Sequence, residues 1–186
     1  MLTSISPLGE RARGNRWSVT VGAYLLGSLL GGAVVGGLLG LMGEVLLQPL
    51  PLIAALVCVA AAVADLVGLL PRGRRQVDEA WLNSYRGWVY GFGFGVQLGV
   101  GVVTIVTSAA TYAVFALCLL SGSATVGLTI GATFGLARAL PILLLHRATT
   151  PSALRSVGAR LERMSSVAAR STAAVLAGAA VVLVAA

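Results

Sequence analysis

This chain of 186 residues contains few charged residues and few of the residue types that soluble proteins use for catalysis or metal binding. It contains no lysine, one histidine and two cysteines, and only 10% of its residues are charged, whereas 58% are hydrophobic. A soluble globular domain carries about 25% charged residues. The composition therefore excludes an ordinary soluble domain and predicts an integral membrane protein.

The chain has few residues that could bind a metal or act as a nucleophile, which argues against a metal site and against catalysis. His146 is the sole histidine, and Cys58 and Cys118 stand far apart in apolar runs with no C-x-x-C motif. A tetrahedral structural zinc site needs four ligands of this kind, so we expect no metal site and no cofactor. The sequence shows no nucleophile with a neighbouring base, no carboxylate pair and no phosphate-binding loop, so we expect no enzyme and no catalytic residue.

The net charge of +7 comes from arginines that cluster between apolar runs. A nucleic-acid binder interleaves its basic residues with polar and aromatic ones on a soluble scaffold, so we expect no nucleic-acid partner. A membrane span needs about 20 apolar residues. On that measure we predict a single all-α transmembrane domain over residues 1–186. It is a polytopic bundle of five spans, at about 18–42, 49–70, 88–120, 124–146 and 171–186.

The arginines also predict the orientation of these spans. They precede the first span and fill the connections after the second and fourth, whereas the other connections contain none. The positive-inside rule then predicts a cytoplasmic N-terminus and an outside C-terminus, in the inner or plasma membrane of a bacterium. Residues 151–164 alternate apolar residues with arginines, which is typical of an amphipathic helix on anionic lipid at the cytoplasmic face or of a solvated connector.

Glycines recur every four residues in three of the predicted spans. The stripes are Gly32, Gly36 and Gly40; Gly91, Gly95 and Gly99; and Gly127, Gly131 and Gly135. Small residues let helix backbones approach closely in lipid, so the stripes predict tight packing within the chain, with homo-oligomerisation or a membrane-protein partner as the alternative.

Arg138 is the charge that the apolar fourth span must accommodate. It lies roughly 12 Å from the inner helix end, and Asp65 and Gln97 lie roughly 8 Å and 13 Å from the same face. A charge this deep usually has a partner or water. We predict an ion pair between Asp65 and Arg138 with Gln97 beside it, serving either as structural glue or as the lining of a path.

Further residues favour the path. Gln97, Thr104, Ser108 and Thr111 share one helical face, although hydroxyl side chains also bond to their own backbone. Pro141 removes a backbone donor and predicts a kink that frees a carbonyl near Ala137.

Residues 91–146 resemble the second half of the CcdA/DsbD-type thiol-electron carriers of cytochrome c biogenesis, through a glycine-rich entry, a short Gly/Ser turn and a mid-helix Leu-Pro. Residues 22–70 are similar to that family's second and third helices. The family's first helix is absent from this alignment, and so is its Pro-Cys, in whose place this chain reads VQLGVG. The resemblance implies the architecture but transfers no redox residue.

Three functions stay open. A small-solute or ion transporter with a polar centre at Arg138, Asp65 and Gln97 is favoured. A non-catalytic subunit or assembly factor of a membrane complex is the alternative, and a thiol-disulfide electron carrier using Cys58 and Cys118 is the second alternative.

Overall fold

The computed structural model describes residues 5–47, 50–68, 85–101, 109–146 and 148–185. Every regular element in these ranges is helical, which confirms the all-α prediction. The helices are α1 (Pro7–Ala12), α2 (Trp17–Leu46), α3 (Pro51–Val67), α4 (Gly87–Val100), α5 (Ala110–Leu120), α6 (Ala124–Ala139), a 3₁₀ helix (Leu140–Leu145) and α7 (Pro151–Ala185).

Helix α2 forms the centre of the bundle, with α4 on one side and α6 on the other. A Cβ atom on Gly32 would overlap the carbonyl oxygen of Gly131, and one on Gly131 would overlap that of Gly32. Gly36 and Gly127 oppose each other in the same way. The glycine stripes of α2 and α6 therefore bring two antiparallel backbones into direct contact, as expected for helix association in lipid.

The seam between α2 and α4 is built alike but runs parallel. A Cβ atom on Gly91 would lie only 2.6 Å from the carbonyl oxygen of Thr20, and one on Gly99 would overlap the carbonyl oxygen of Ser28. Residue 100 therefore reaches only about halfway along α2. The Ser28 hydroxyl also donates a hydrogen bond of 2.7 Å to the Gly135 carbonyl oxygen, which ties α2 to α6 at this level. We call these two glycine interfaces of α2 the central seams.

Helices α3, α5 and α7 meet in a second cluster made mainly of alanine. Its buried members are Ala55, Cys58, Ala61, Ala62, Ala109, Ala110, Ala113, Ala173, Leu176 and Ala180. We call the contact of α3 with α7 the alanine seam.

The N-terminal segment folds onto one end of the bundle through a buried carboxylate. Glu10 is fully buried and accepts hydrogen bonds from Arg13 at 2.7 Å, from Thr20 of α2 at 2.8 Å and from the hydroxyl of Tyr90 in α4. Burial by itself lowers the pKa of Arg13, but its hydrogen bonds to Glu10 and Tyr90 outweigh that effect and raise the pKa overall. The charge pair is thus stabilised by geometry that joins α1, α2 and α4.

Ile5 is buried in the same region, in a cluster with Leu145 and Ala148, against which Leu154 of α7 packs. The N-terminal segment and the start of α7 therefore lie at the same end of the bundle.

Two helices have the length and hydropathy of membrane spans, Trp17–Leu46 and Ala124–Leu145. They coincide with the predicted spans 18–42 and 124–146. Helix α3 is shorter than the predicted span 49–70, because Gly68 ends it in the left-handed conformation with φ 69°.

The structure differs from the predicted spans in two places. Residues 88–120 do not form one helix, since α4 ends at Val100 and α5 begins at Ala110. Residues 151–164 and 171–186, predicted as a surface helix and a separate span, lie in one continuous helix, α7, up to Ala185. No glycine or proline interrupts residues 159–177, which explains why the helix continues.

Candidate functional site: the interrupted span

Helix α4 ends at the level of the middle of α2. Gly101 follows it with φ 75°, a left-handed conformation that favours glycine. A Cβ there would also lie 2.9 Å from Phe115 and 3.3 Å from the Arg138 guanidinium. The last carbonyls of α4 have no partner within the helix, and a buried carbonyl without a hydrogen bond is costly.

Arg138 supplies a donor to one of these carbonyls. Its Nη1 donates a hydrogen bond of 3.2 Å to the carbonyl oxygen of Leu98, in the last turn of α4. A cation at a helix C-terminus also complements the negative end of the helix dipole. The arginine of α6 therefore acts as a cap for α4.

Aromatic rings complete the surroundings of this guanidinium. Its carbon lies 5.3 Å from the centre of the Phe134 ring, a cation–π distance. Phe134 in turn meets Phe115 of α5 edge to face, with 6.5 Å between ring centres. Arg138 is half-buried in this setting, so helices α4, α5 and α6 shelter the charge together.

Asp65 performs the complementary task at the beginning of α5. Its Oδ1 accepts a hydrogen bond of 2.6 Å from the backbone N–H of Ala109, the N-cap residue of α5. An anion at a helix N-terminus stabilises the positive end of the dipole and satisfies a free donor. Arg138 thus caps the C-terminus of α4, and Asp65 caps the N-terminus of α5.

The remaining predicted site residues divide by position. Gln97 lies half-buried in the last turn of α4, and Thr111 is buried in the first turn of α5, its methyl group close to Gly101. Pro141 lies in the 3₁₀ helix into which α6 changes at Leu140. Thr104 and Ser108 fall outside the described residues. The ion pair of Asp65 with Arg138 stays a prediction, while the contacts of both side chains with helix ends are observed.

The two cysteines lie in separate places. Cys58 is buried in the alanine cluster, and Cys118 is buried in α5, where its Sγ lies 3.6 Å from the Gly127 carbonyl oxygen. Both thiols are free. Across the described ranges, no three His, Cys, Asp or Glu residues come together as a metal site would need.

Two sets of residues escaped the sequence analysis. The cap on Leu98 was missed because a carbonyl carries no sequence signal, although a predicted span of 33 residues already exceeded the bilayer thickness. The Glu10 network was missed because Tyr90 is 80 residues away, and only the spacing of Glu10 and Arg13 by three residues pointed to a local ion pair.

Comparisons with known proteins give two relatives. The chain is 30% identical over 151 residues to the methylamine utilization protein MauF of Methylophilus methylotrophus, across 76% of this chain and 53% of that protein. It is 33% identical over 124 residues to MauF of Paracoccus versutus, across 66% of this chain and 44% of that protein. The chain thus spans about half the length of the curated relatives it matches.

No family model matches the chain, and no solved structure matches it. The relatives overturn the favoured functional prediction. Both are named for methylamine utilization and neither for transport, so the prediction of a small-solute or ion transporter is wrong. It failed because a charge in a span indicates a polar path and a helix cap equally well, and the sequence alone did not distinguish them.

Proposed function

We propose that this chain is the membrane-embedded part of a non-catalytic accessory protein of methylamine utilization. The observation that carries the proposal is the identity of 30% with a methylamine utilization protein over 151 residues. The matched part makes up 76% of this chain, so it must include most of the helical bundle.

The geometry of the interrupted span supports an accessory role. Arg138 and Asp65 bind backbone groups at the buried ends of α4 and α5, where an unsatisfied group would be costly in a membrane. Together with the central seams they hold three helices in fixed register. Such a bundle suits a scaffold that positions another protein.

We further propose that the chain crosses the inner membrane of a bacterium five times, with its N-terminus in the cytoplasm. Two helices have the full length of a span, and α3, α5 and the Arg170–Val184 part of α7 are shorter apolar helices. The N-terminal segment and the start of α7 meet at one end of the bundle, which supports placing their arginines on the same side.

A partner or a second copy would bind to a surface other than the glycine stripes. These stripes are used inside the chain, between α2, α4 and α6. Exposed apolar side chains remain along the outer face of α3, among them Leu52, Leu56 and Val63, and in this proposal they meet lipid or a partner helix.

The resemblance to the CcdA/DsbD type stays a prediction about architecture. The Leu-Pro on which it partly rests lies in the 3₁₀ helix that follows α6. The resemblance adds no redox function to the proposal.

Complementation in a relative's own host tests the proposal. In Paracoccus versutus, the segment of MauF that aligns with this chain is replaced by this chain, and growth is measured with methylamine as the sole carbon source. We expect the chimera to restore growth that a strain lacking MauF has lost, whereas both strains grow equally on succinate with ammonium.

Two variants of the chimera make the result interpretable. Gly32→Leu disrupts a central seam and should abolish growth on methylamine, while Gly22→Leu, on an exposed face of the same helix with nothing within 4 Å, should preserve it. An unsubstituted chimera that is present in the membrane fraction in normal amount, yet gives no growth on methylamine, would overturn the proposal.

A further inference from the structure

Helix α7 changes character along its length. Its first half carries Arg155, Arg160, Arg163 and Arg170, all exposed, whereas its second half buries Leu176 and Ala180 in the alanine seam. The same second half exposes valines to its surroundings, for example Val175 and Val181. A cationic surface thus continues directly into an apolar one along a single helix.

The cationic half contains a hollow of about 470 Å³, lined by Ser156, Val157, Arg160 and Arg163. Ser156, Arg160 and Arg163 are spaced by four and three positions along the helix, so they share one face, and Val157 lies beside them. The Arg163 Nε donates to the Ala159 carbonyl oxygen at 3.2 Å, which fixes the direction of that side chain along the helix. Two guanidinium groups therefore flank one concave surface.

The described side chains at this end of the bundle include further exposed arginines. Arg11 and Arg16 are exposed on the N-terminal segment, which packs near the start of α7. Among the acidic side chains that the structure describes, Glu10 is buried against Arg13, Asp65 is half-buried at the N-terminus of α5, and Glu44 lies at the opposite end of the bundle, where it accepts a hydrogen bond from the Ala124 N–H. The described charges exposed here are all positive.

We propose that Arg160 and Arg163 bind the phosphate group of an anionic membrane lipid. The guanidinium geometry matches phosphate oxygens. The exposed apolar side chain of Val167 lies four residues after Arg163, about one helical turn away, which places the hollow at the border of apolar surface. Lipid headgroups lie at that border. An acidic peptide or a nucleic acid would use the charge alone and would gain nothing from the adjoining apolar surface.

Thermal stability of the purified full chain in a neutral detergent tests this inference. Dioleoyl phosphatidylglycerol is titrated against the protein, and dioleoyl phosphatidylcholine serves as the neutral lipid. We expect phosphatidylglycerol to raise the unfolding temperature saturably and phosphatidylcholine not to. The double variant R160Q/R163Q should need about ten times more phosphatidylglycerol for the same rise, since each arginine contributes to binding at an anionic surface.

The double variant R11Q/R16Q is the matched control. It removes two exposed arginines from the same end of the bundle but leaves the hollow intact, and we expect its titration to coincide with that of the unsubstituted protein. Equal weakening in both double variants would overturn the site and leave only diffuse charge attraction. An equal rise with inorganic phosphate or a short RNA at the same phosphate concentration would overturn the lipid as the ligand.

This experiment is independent of the role in methylamine utilization. A chimera that fails in Paracoccus versutus leaves the lipid titration unaffected, and loss of lipid binding in R160Q/R163Q leaves the growth experiment unaffected.

Discussion

The central seams and the alanine seam hold helices together by different means. In the central seams, glycine places one backbone directly against another, and carbonyl oxygens fill the space where side chains would be. In the alanine seam, Ala62, Leu176 and similar side chains separate the two backbones. Lipid provides no hydrophobic force between helices, so the first design depends on close contact and the second on side-chain packing.

Each kind of seam suits the helix that it holds in place, α4 in a central seam and α7 in the alanine seam. Helix α4 is only 14 residues long and ends within the bundle, so its contacts with α2 must fix its position closely enough for Arg138 to reach the Leu98 carbonyl. Helix α7 has 35 residues and keeps its own backbone hydrogen bonds along its length. A long uninterrupted helix needs less precise support than a helix that ends inside the bundle.

Substitution of Gly32, in a central seam, should lower the free energy of unfolding more than any other change proposed here. Gly32→Leu places a side chain where the Gly131 backbone lies, and backbone on both sides cannot move without separating α2 from α6. Overpacking among side chains costs about 1–3 kcal/mol, and we expect about 3 kcal/mol or more here because the obstacle is backbone. The measurement is the yield of monodisperse protein and its unfolding temperature in detergent.

Gly22→Leu on the same helix is the control, because nothing lies within 4 Å of a Cβ at that position. It should change the unfolding temperature by no more than about 2 °C, since surface substitutions usually change stability by about 0.5 kcal/mol or less. Equal loss in both variants would mean that the central seam is not the cause.

Arg138→Met comes next in expected size. It keeps the length of the side chain but leaves the Leu98 carbonyl without this donor. A hydrogen bond from a charged group contributes about 1.5–3 kcal/mol, so we expect a loss of about 2 kcal/mol in the free energy of unfolding. The loss should appear as a lower unfolding temperature, and Arg138→Lys should recover part of it. If Arg138→Met is as stable as the unsubstituted protein, the arginine is not a cap.

Asp65→Asn, at the N-terminus of α5, should lower the free energy of unfolding less than Arg138→Met does. The amide oxygen of asparagine still accepts a hydrogen bond from the Ala109 N–H, so this bond survives while the negative charge at the helix N-terminus is lost. Such a charge contributes about 0.3–1 kcal/mol, and we expect about 0.5 kcal/mol from Asp65→Asn and more from Asp65→Ala. The comparison of the two unfolding temperatures checks this order, and the reverse order would exclude a hydrogen-bonding role for Asp65.

Much of the bundle follows from the sequence because hydropathy and glycine periodicity are local signals. They give the two long spans and the stripes that meet between α2 and α6. They do not give the break after Val100, since the residues on both sides are equally apolar and the break depends on the left-handed conformation of Gly101. They also divide α7 wrongly into a surface helix and a separate span, because hydropathy changes near Arg170 whereas the helix continues through this change of polarity.

The site was predictable in its members but not in its contacts. Depth along the helices predicted that Asp65, Gln97 and Arg138 lie at related levels. It did not predict that Arg138 and Asp65 bind backbone, because the free carbonyl of Leu98 and the free N–H of Ala109 exist only once the span is interrupted. An uninterrupted helix would leave each charge only another side chain or water as a partner.

The smallest effect should come from the alanine seam. Leu176→Ala shortens a side chain that is only 5% exposed. In a water-soluble core this change costs about 2–5 kcal/mol, but in a membrane the transfer from water is absent from the cost, and only lost packing remains. We expect about 1 kcal/mol, measured as a small fall in unfolding temperature with α7 still protected from proteolysis. A loss as large as that of Gly32→Leu would show that the two seams are equally demanding, and the contrast drawn between them would then be wrong.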